Sequence, residues 1–548
     1  MDRKLTRLPR QPAQPSASAN SAVWPVGLLV ALCFTTLPLF LALSPGRPTL
    51  PNVRQMGIRV TVRHEDATRP SEPLDSPPAT RDILLGGLLS PDIDENSCLS
   101  RYLSSLYRKP SPHSPSPYLV SRLRKYEALH RRCGPGALFY DKSLAQLASA
   151  HRSMGLVECN YLVWTPVGHL GDRMLSMASA FLYALLTHRV FLVDMTKDMA
   201  GLFCEPFPGA SWELPPGFPV QNLTQLRRGS EHSYANLLRA KKIENGDPAV
   251  RSESLPSYAY VHLEHDYKQQ DQLFFCDDDQ TVLGKVNWLI LRSNLYFAPV
   301  LFLVPHFEDE LRWMFPATDT VFHHIGRYLL HPSNKVWKLI TGYYTSYMDK
   351  FEEKIGLQIT TLTWNPVSTE AYFKQIMACT SHKKILPEVD PEAASSEHEV
   401  TATTSKAVLV SSTQPEYAER LKSMYYEHTT VTGEAVSVLQ SDAGTQPRKQ
   451  KVLAEMFLQS YCDVLVVSGW STVGYVGHSL AGVKPWLLMS PRDQTADRPP
   501  CVRTTSMEPC FHAAPSYDCR AKKDGDLGAV LQHVRHCEDV VDGLKLFD

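Results

Sequence analysis

The stretch DVLVVSGWSTVGYVGHSLAGVKPWLLM, Asp463–Met489, decides the fold. Asp463–Ser468 is a short apolar run rich in β-branched residues and closed by a turn signal, which predicts a strand. GWSTVG is a tight loop, Tyr475–Leu480 a short helix and Lys484–Met489 the next strand. A strand, loop, helix and strand in that order make a βαβ unit, and parallel strands joined this way lie in a sheet covered on both faces.

Two more units extend the pattern. Tyr161–Thr165 is an apolar run, Pro166–Asp172 holds three turn residues, Arg173–Thr187 has helical periodicity and Arg189–Asp194 is apolar again. Ala407–Ser411 is a strand, followed by a turn and the helix Glu416–Tyr425. The expected class is therefore α/β, with two Rossmann-like lobes facing a cleft. The N-lobe covers about 97–330 and the nucleotide-binding C-lobe about 331–548. Ligands of such sheets bind outside the carboxyl ends of the strands. Pro391–Ser405 is polar and reads as an exposed loop.

The chemistry follows from the loops. GWSTVG brings Ser471, Thr472, Gly474 and unpaired backbone N–H groups to a helix start, where the partial positive charge favours phosphate. Tyr475 is placed to stack on a base or sugar. Arg173, also at a helix start, suits a phosphate or a carboxylate. Asp277–Asp279 could chelate a metal, but a turn with solvated acids is the preferred reading. Near the C-terminus His533, Arg535, His536, Glu538 and Asp539 surround Cys537, either as a cleft wall or as a charged helix end.

Lys+Arg (56) and Asp+Glu (57) nearly cancel, which argues against a nucleic-acid partner. Ala22–Leu43 carries no charge and is long enough to span a bilayer, with Arg3, Lys4, Arg7 and Arg10 ahead of it. The expected layout is a cytoplasmic tail (1–21), a transmembrane signal anchor (22–44), a flexible lumenal stem (45–96) and a lumenal domain (97–548). A second Pro/Ser tract, Lys109–Pro117, is expected to loop out. Of twelve cysteines, Cys33 lies in the anchor segment, and the other eleven would face an oxidising lumen. Cys501, Cys510, Cys519 and Cys537 look like a local disulfide framework, with Cys379 and Cys462 as the expected thiols. Asn222-Leu223-Thr224 is a glycosylation sequon.

GHLGDRMLSMASAFLYALLTHRVFLVD, PHFEDELRWMFP, QIMACT, the block around GWSTVG, SMEPCFHAAPSYDC and HVRHCEDVVDGLKL resemble, in the same order, the signatures of plant galactoside α1,2-fucosyltransferases. These are the xyloglucan and arabinogalactan fucosyltransferases, and the likeness runs from about Cys98 to the end. It implies a GT-B-like fold in a single-pass type II Golgi membrane protein, with the catalytic domain in the lumen. It implies inverting transfer of L-fucose from GDP-fucose to the 2-hydroxyl of galactose in a cell-wall glycan, with no cofactor and no metal. Arg173, Ser471, Thr472, Gly474 and Tyr475 would hold GDP, and Asp539 matches an acid placed near the acceptor. Two positions depart from the pattern. The family usually has Asn where Asp172 stands, and Arg where Thr360 stands. Those departures raise an alternative: an impaired relative that binds GDP or glycan, or that partners an active paralogue.

Overall fold

The computed structural model describes residues 82–149, 158–243, 255–362, 366–394, 405–440, 448–489, 499–529 and 532–548. The expected anchor segment with Cys33 lies outside them. Among the described residues no helix is long and apolar enough to cross a membrane.

Two parallel sheets organise the chain, as the alternating pattern predicts. The first has four strands in the order Arg189–Val193, Asn160–Pro166, Trp288–Ser293, Tyr258–Leu263. All three pairings are parallel, with Val163 opposite Leu192 on one side and Ile290 on the other. The second has six, in the order Cys501–Arg503, Trp486–Leu488, Val464–Ser468, Glu353–Ile359, Ser405–Ser412, Ala435–Gln440. Only its Cys501–Arg503 edge is antiparallel. The central strands are buried along nearly their whole length, as expected when helices cover both faces.

The helix after Asn160–Pro166 runs Leu170–Leu186 and is almost wholly buried, so its apolar residues are not confined to one stripe. The helix after Val464–Ser468 runs Thr472–Ala481, three residues longer at its start than the apolar pattern suggests. Ser471 explains the difference: its side chain accepts the Gly474 N–H at 3.2 Å and caps the helix. Gly482, at φ 74°, ends it in the left-handed conformation. The two helices meet at their N-termini. A Cβ on Gly171 would lie 2.6 Å from Thr472 Oγ1, so only glycine allows this approach.

Three expectations need correction. Residues 82–96 are not a free stem: Leu88, Leu89 and Ser90 are buried in the core. Lys109–Pro117 does not loop out. Ser111 Oγ lies 2.9 Å from His323 Nε2, and Ser116 caps the helix Pro117–Cys133. The C-terminal cysteines are not one local framework. Cys501 pairs with Cys379, Cys519 with Cys276, and only Cys510 and Cys537 pair with each other. Cys379 is therefore no thiol, whereas Cys462 is free and buried. Cys98–Cys204 and Cys133–Cys159 complete the set among the described residues. Local spacing misled because the C-terminal segment turns back to the first sheet, where Tyr267 donates to the Ala513 carbonyl at 2.6 Å. Of the Pro391–Ser405 segment, residues 395–404 lie outside the description, and the strand Val389–Ala394 takes up its start.

Candidate donor site at the meeting of two helices

The strand ends Ile359 and Ser468 lie at the carboxyl edge of the second sheet; Thr360 follows the first directly and Ser471 lies three residues beyond the second. Ser468 Oγ accepts the Thr360 N–H at 2.9 Å and the Tyr372 O–H at 2.7 Å. Thr360 Oγ1 accepts from Gln358 Nε2 at 2.8 Å and lies 3.0 Å from Ser471 Oγ. One hydroxyl hydrogen serves the contact between Thr360 and Ser471. The other remains for a ligand oxygen, because each oxygen already accepts an N–H. The N–H groups of Thr472 and Val473 precede the first intrahelical bond, so this corner offers donors and a helix dipole to an anion. Gly474 is a packing glycine: a Cβ there would lie 2.9 Å from Gln358 Oε1 and 3.2 Å from Val467 Cβ.

Tyr475 is not a stacking platform. It is 4% exposed, and its hydroxyl donates to Asp539. Burial, then the Asp539 charge, pushes its pKa well above the ordinary phenol value. Asp539 Oδ2 also accepts the Trp470 N–H at 2.8 Å. Trp470 sits at φ 62°, a left-handed conformation costly for a bulky residue, and the Asp539 carboxylate helps to hold it there. The His512 ring lies 3.0 Å from the Tyr475 hydroxyl and 4.8 Å from the Trp470 ring, centre to centre. Its pKa is lowered by burial, although the Asp539 and Asp172 charges oppose the shift. A neutral imidazole whose Nε2–H donates to the Tyr475 oxygen satisfies both partners, since the Tyr475 proton is committed to Asp539.

Asp539 thus positions the GWSTVG loop from a hairpin turn, and not from a helix end. Val534–His536 pairs with Leu544–Leu546 on either side of it. Of its neighbours, Glu538 binds Lys545 at 2.9 Å and the Thr505 N–H at 2.8 Å. His536 faces Asp526.

On the opposing wall Asp172 has a local task. Its Oδ2 accepts the His169 N–H at 2.8 Å, so the carboxylate caps the Leu170–Leu186 helix. Arg173 points its Nε at the Gly168 carbonyl (2.9 Å) and its Nη1 at Asp198 Oδ1 (3.2 Å). Asp198 also binds Lys449, from the helix Arg448–Gln459 of the second lobe, and accepts from Thr196 Oγ1 at 2.6 Å. Burial opposes ionisation of Asp198, but the bonds from Lys449 and Thr196 and the Arg173 charge outweigh it, and its pKa falls far below the carboxylate norm. Asp198 and Lys449 escaped the sequence reading. The signal available for Asp198 was its place just beyond the strand Arg189–Val193, at the ligand-binding edge.

Asp277–Asp279 open a helix, where the Asp279 carboxylate accepts the buried Tyr234 hydroxyl and Asp277 the His306 N–H. Both are structural contacts. Asn222 is exposed in a left-handed turn at φ 55°.

Comparison with known proteins agrees with this architecture. The family model described as Xyloglucan fucosyltransferase matches residues 49–520. A galactoside 2-alpha-L-fucosyltransferase of Arabidopsis thaliana is 50% identical over 472 residues, covering 85% of this chain and 83% of that protein. Its namesake in Pisum sativum is 48% identical over 485 residues, covering 87% and 84%. A solved structure of an arginine-to-lysine mutant of Arabidopsis thaliana FUT1 in complex with GDP superposes with a TM-score of 0.78 at 50% identity. It covers 85% of this chain and 100% of that one. The chain belongs to the xyloglucan fucosyltransferase family.

Proposed function

We propose that this chain transfers L-fucose from GDP-fucose to the 2-hydroxyl of a galactose residue in a cell-wall glycan, xyloglucan or arabinogalactan, with inversion. The observation that carries the reading is the meeting of two helix starts at Gly171 and Thr472, at the carboxyl edges of two parallel sheets. A GT-B-like arrangement of that kind suits a sugar nucleotide. In the reaction the acceptor oxygen forms a bond to the fucose anomeric carbon, and the bond to the diphosphate breaks with its electron pair leaving on GDP. The acceptor hydroxyl gives up its proton as this happens. The chain's task is to stabilise charge growing on the diphosphate with fixed donors. Ser471, Thr472 and the N–H groups before Gly474 serve on one wall and Arg173 on the other. Thr360 contributes a hydroxyl where the resembled family pattern has arginine. Asp539 and Tyr475 hold the loop in shape. The reaction needs no cofactor.

The impaired-relative alternative has less behind it. Thr360 is integrated with Ser471 and Gln358 through its hydroxyl. The uncharged segment Ala22–Leu43 and the basic residues before it support a type II anchor in the Golgi membrane. The five cystine pairs suit an oxidising lumen, and exposed Asn222 suits glycosylation there.

The test is an assay of the full-length chain with GDP-fucose and galactosylated xyloglucan or arabinogalactan, with linkage analysis of the product and Thr360→Arg run alongside. A terminal fucose on galactose O2 is expected from the natural sequence. Transfer by the Thr360→Arg variant alone would overturn the reading in favour of an impaired relative.

A further inference from the structure

The far end of the Thr472–Ala481 helix borders a second polar site. A cavity of about 390 Å³ lies there, lined by Asp82, Ser105, Arg108, Lys109, Ser111 and Arg327 among others. Ten helical residues at about 1.5 Å each put it roughly 15 Å from Ser471, so it is separate from the donor corner.

Its two arginines are held firmly but not neutralised. Arg108 donates to the Leu480 carbonyl and to Ser460 Oγ, both at 3.3 Å, and lies over the Tyr461 ring at 5.1 Å. Arg327 Nη1 donates to His323 Nε2 at 3.0 Å, as does the Ser111 hydroxyl at 2.9 Å. That leaves His323 Nδ1–H to donate to the Ser479 carbonyl at 2.9 Å, so the ring is neutral and its tautomer fixed. Burial, then the Arg327 charge, holds the His323 pKa well below its ordinary value.

Among the described residues neither Arg108 nor Arg327 forms an ion pair. Asp82, the one carboxylate lining the cavity, accepts the Gly86 N–H. Lys109 is paired with Asp463 at 2.5 Å. Among the described residues Ser105 Oγ, Arg108 Nε and Arg327 Nε are buried and find no hydrogen-bond partner. Burial, then the Arg108 charge, lowers the Arg327 pKa to about 9, although the Asp82 charge opposes the shift.

Buried polar atoms are nearly always hydrogen-bonded, and buried charges are paired. Asp82 offsets at most one of the two neighbouring positive charges, and water entering the cavity could satisfy donors but could not cancel the other. A small anion does both, and serine hydroxyls and guanidinium forks are the groups that bind its oxygens. We propose that this cavity binds a small tetrahedral oxyanion of the size and charge of inorganic phosphate, with Arg327 and Arg108 as its cationic partners and the Ser105 hydroxyl beside them. The anion ties residues 82–116 to the end of the Thr472–Ala481 helix, so its effect is on the stability of that junction.

Calorimetry with inorganic phosphate on the full-length chain saturated with GDP tests the site. Saturable binding beyond that of chloride at equal ionic strength is expected, with a matching rise in melting temperature. Arg327→Gln should weaken it by about tenfold or more, through loss of a charge-assisted contact. Asp82→Asn keeps the acceptor for Gly86 but removes the opposing charge, so it should bind phosphate several times more tightly. This second variant decides the matter if the first does not fold. Three results would overturn the site: no binding beyond chloride, binding seen only without GDP, or affinity unchanged by the substitutions.

Discussion

At its start the Thr472–Ala481 helix offers bare N–H groups, the Ser471 and Thr360 hydroxyls and its own positive dipole end, with Arg173 across the cleft. At its finish the dipole has the opposite sign, and Arg108 and His323 cover the Leu480 and Ser479 carbonyls. Anion chemistry at the first end is largely a property of the backbone, sharpened by two hydroxyls. At the second end it exists in spite of the backbone, because side chains first neutralise the carbonyls and then leave charge to spare. A helix terminus is therefore a poor guide by itself. What matters is which donors remain after the terminal groups have found partners.

Four measurements sharpen or break that contrast. The largest effect is expected from Arg173→Ala, which removes the guanidinium held by Gly168 and Asp198 at the start of the neighbouring helix. kcat/KM for GDP-fucose should fall about 100-fold, in line with losing a charged contact to a leaving group. Arg173→Lys should restore part of it. Equal activity in all three would leave the first end acting through backbone and hydroxyls alone.

Acid acts on the other end. His323 is neutral when folded, with a pKa depressed well below that of the unfolded chain, near 6.5. Its contribution is intact above about pH 6.5 and is lost as the pH falls further, at about 1.4 kcal/mol per pH unit. Glu508, with a pKa raised to about 8 by burial, runs the other way, so the reading is a difference. The melting temperature should fall less steeply between neutral pH and about pH 5 in His323→Gln than in the natural chain. Parallel curves would remove His323 from the account.

Ser471→Ala deletes the N-cap and one of the two hydroxyls. It should cost about 1 kcal/mol of stability and weaken GDP binding, as read by chemical denaturation and titration. Thr360→Val is the mildest. It leaves Gln358 Nε2 without its acceptor, and GDP affinity should drop a few-fold, about 0.5–1.5 kcal/mol. An affinity gain would mean that the hydroxyl competes with the ligand.

The strands and crossover helices were legible because each is a contiguous run whose periodicity is its own evidence. DVLVVS and AVLVS each gave a central strand within a residue or two. Ser471 and Thr472 were legible for the same reason, as a loop opening a helix. The burial of Tyr475 was not, because its partner Asp539 lies 64 residues away. The Cys276–Cys519 and Cys379–Cys501 pairs were lost likewise, since proximity along the chain says nothing about a segment that crosses back. Asp198 and Lys449 meet across the lobes, 251 positions apart, and each reads in isolation as an ordinary surface charge.

That returning C-terminal segment has a consequence for biogenesis. Cys276 waits for a partner 243 residues downstream, and at about 5–20 residues per second the ribosome needs roughly 12–50 s to deliver it. The first lobe must therefore survive that interval with an open thiol, exposed to capture by earlier cysteines such as Cys204 or by a thiol-exchange chaperone. A stop codon falling between Arg503 and Cys537 would release a chain whose two sheets have been translated in full but which lacks the Cys510–Cys537 pair and the Asp539 carboxylate that holds the GWSTVG loop. Nonsense changes in that interval should therefore behave as complete losses.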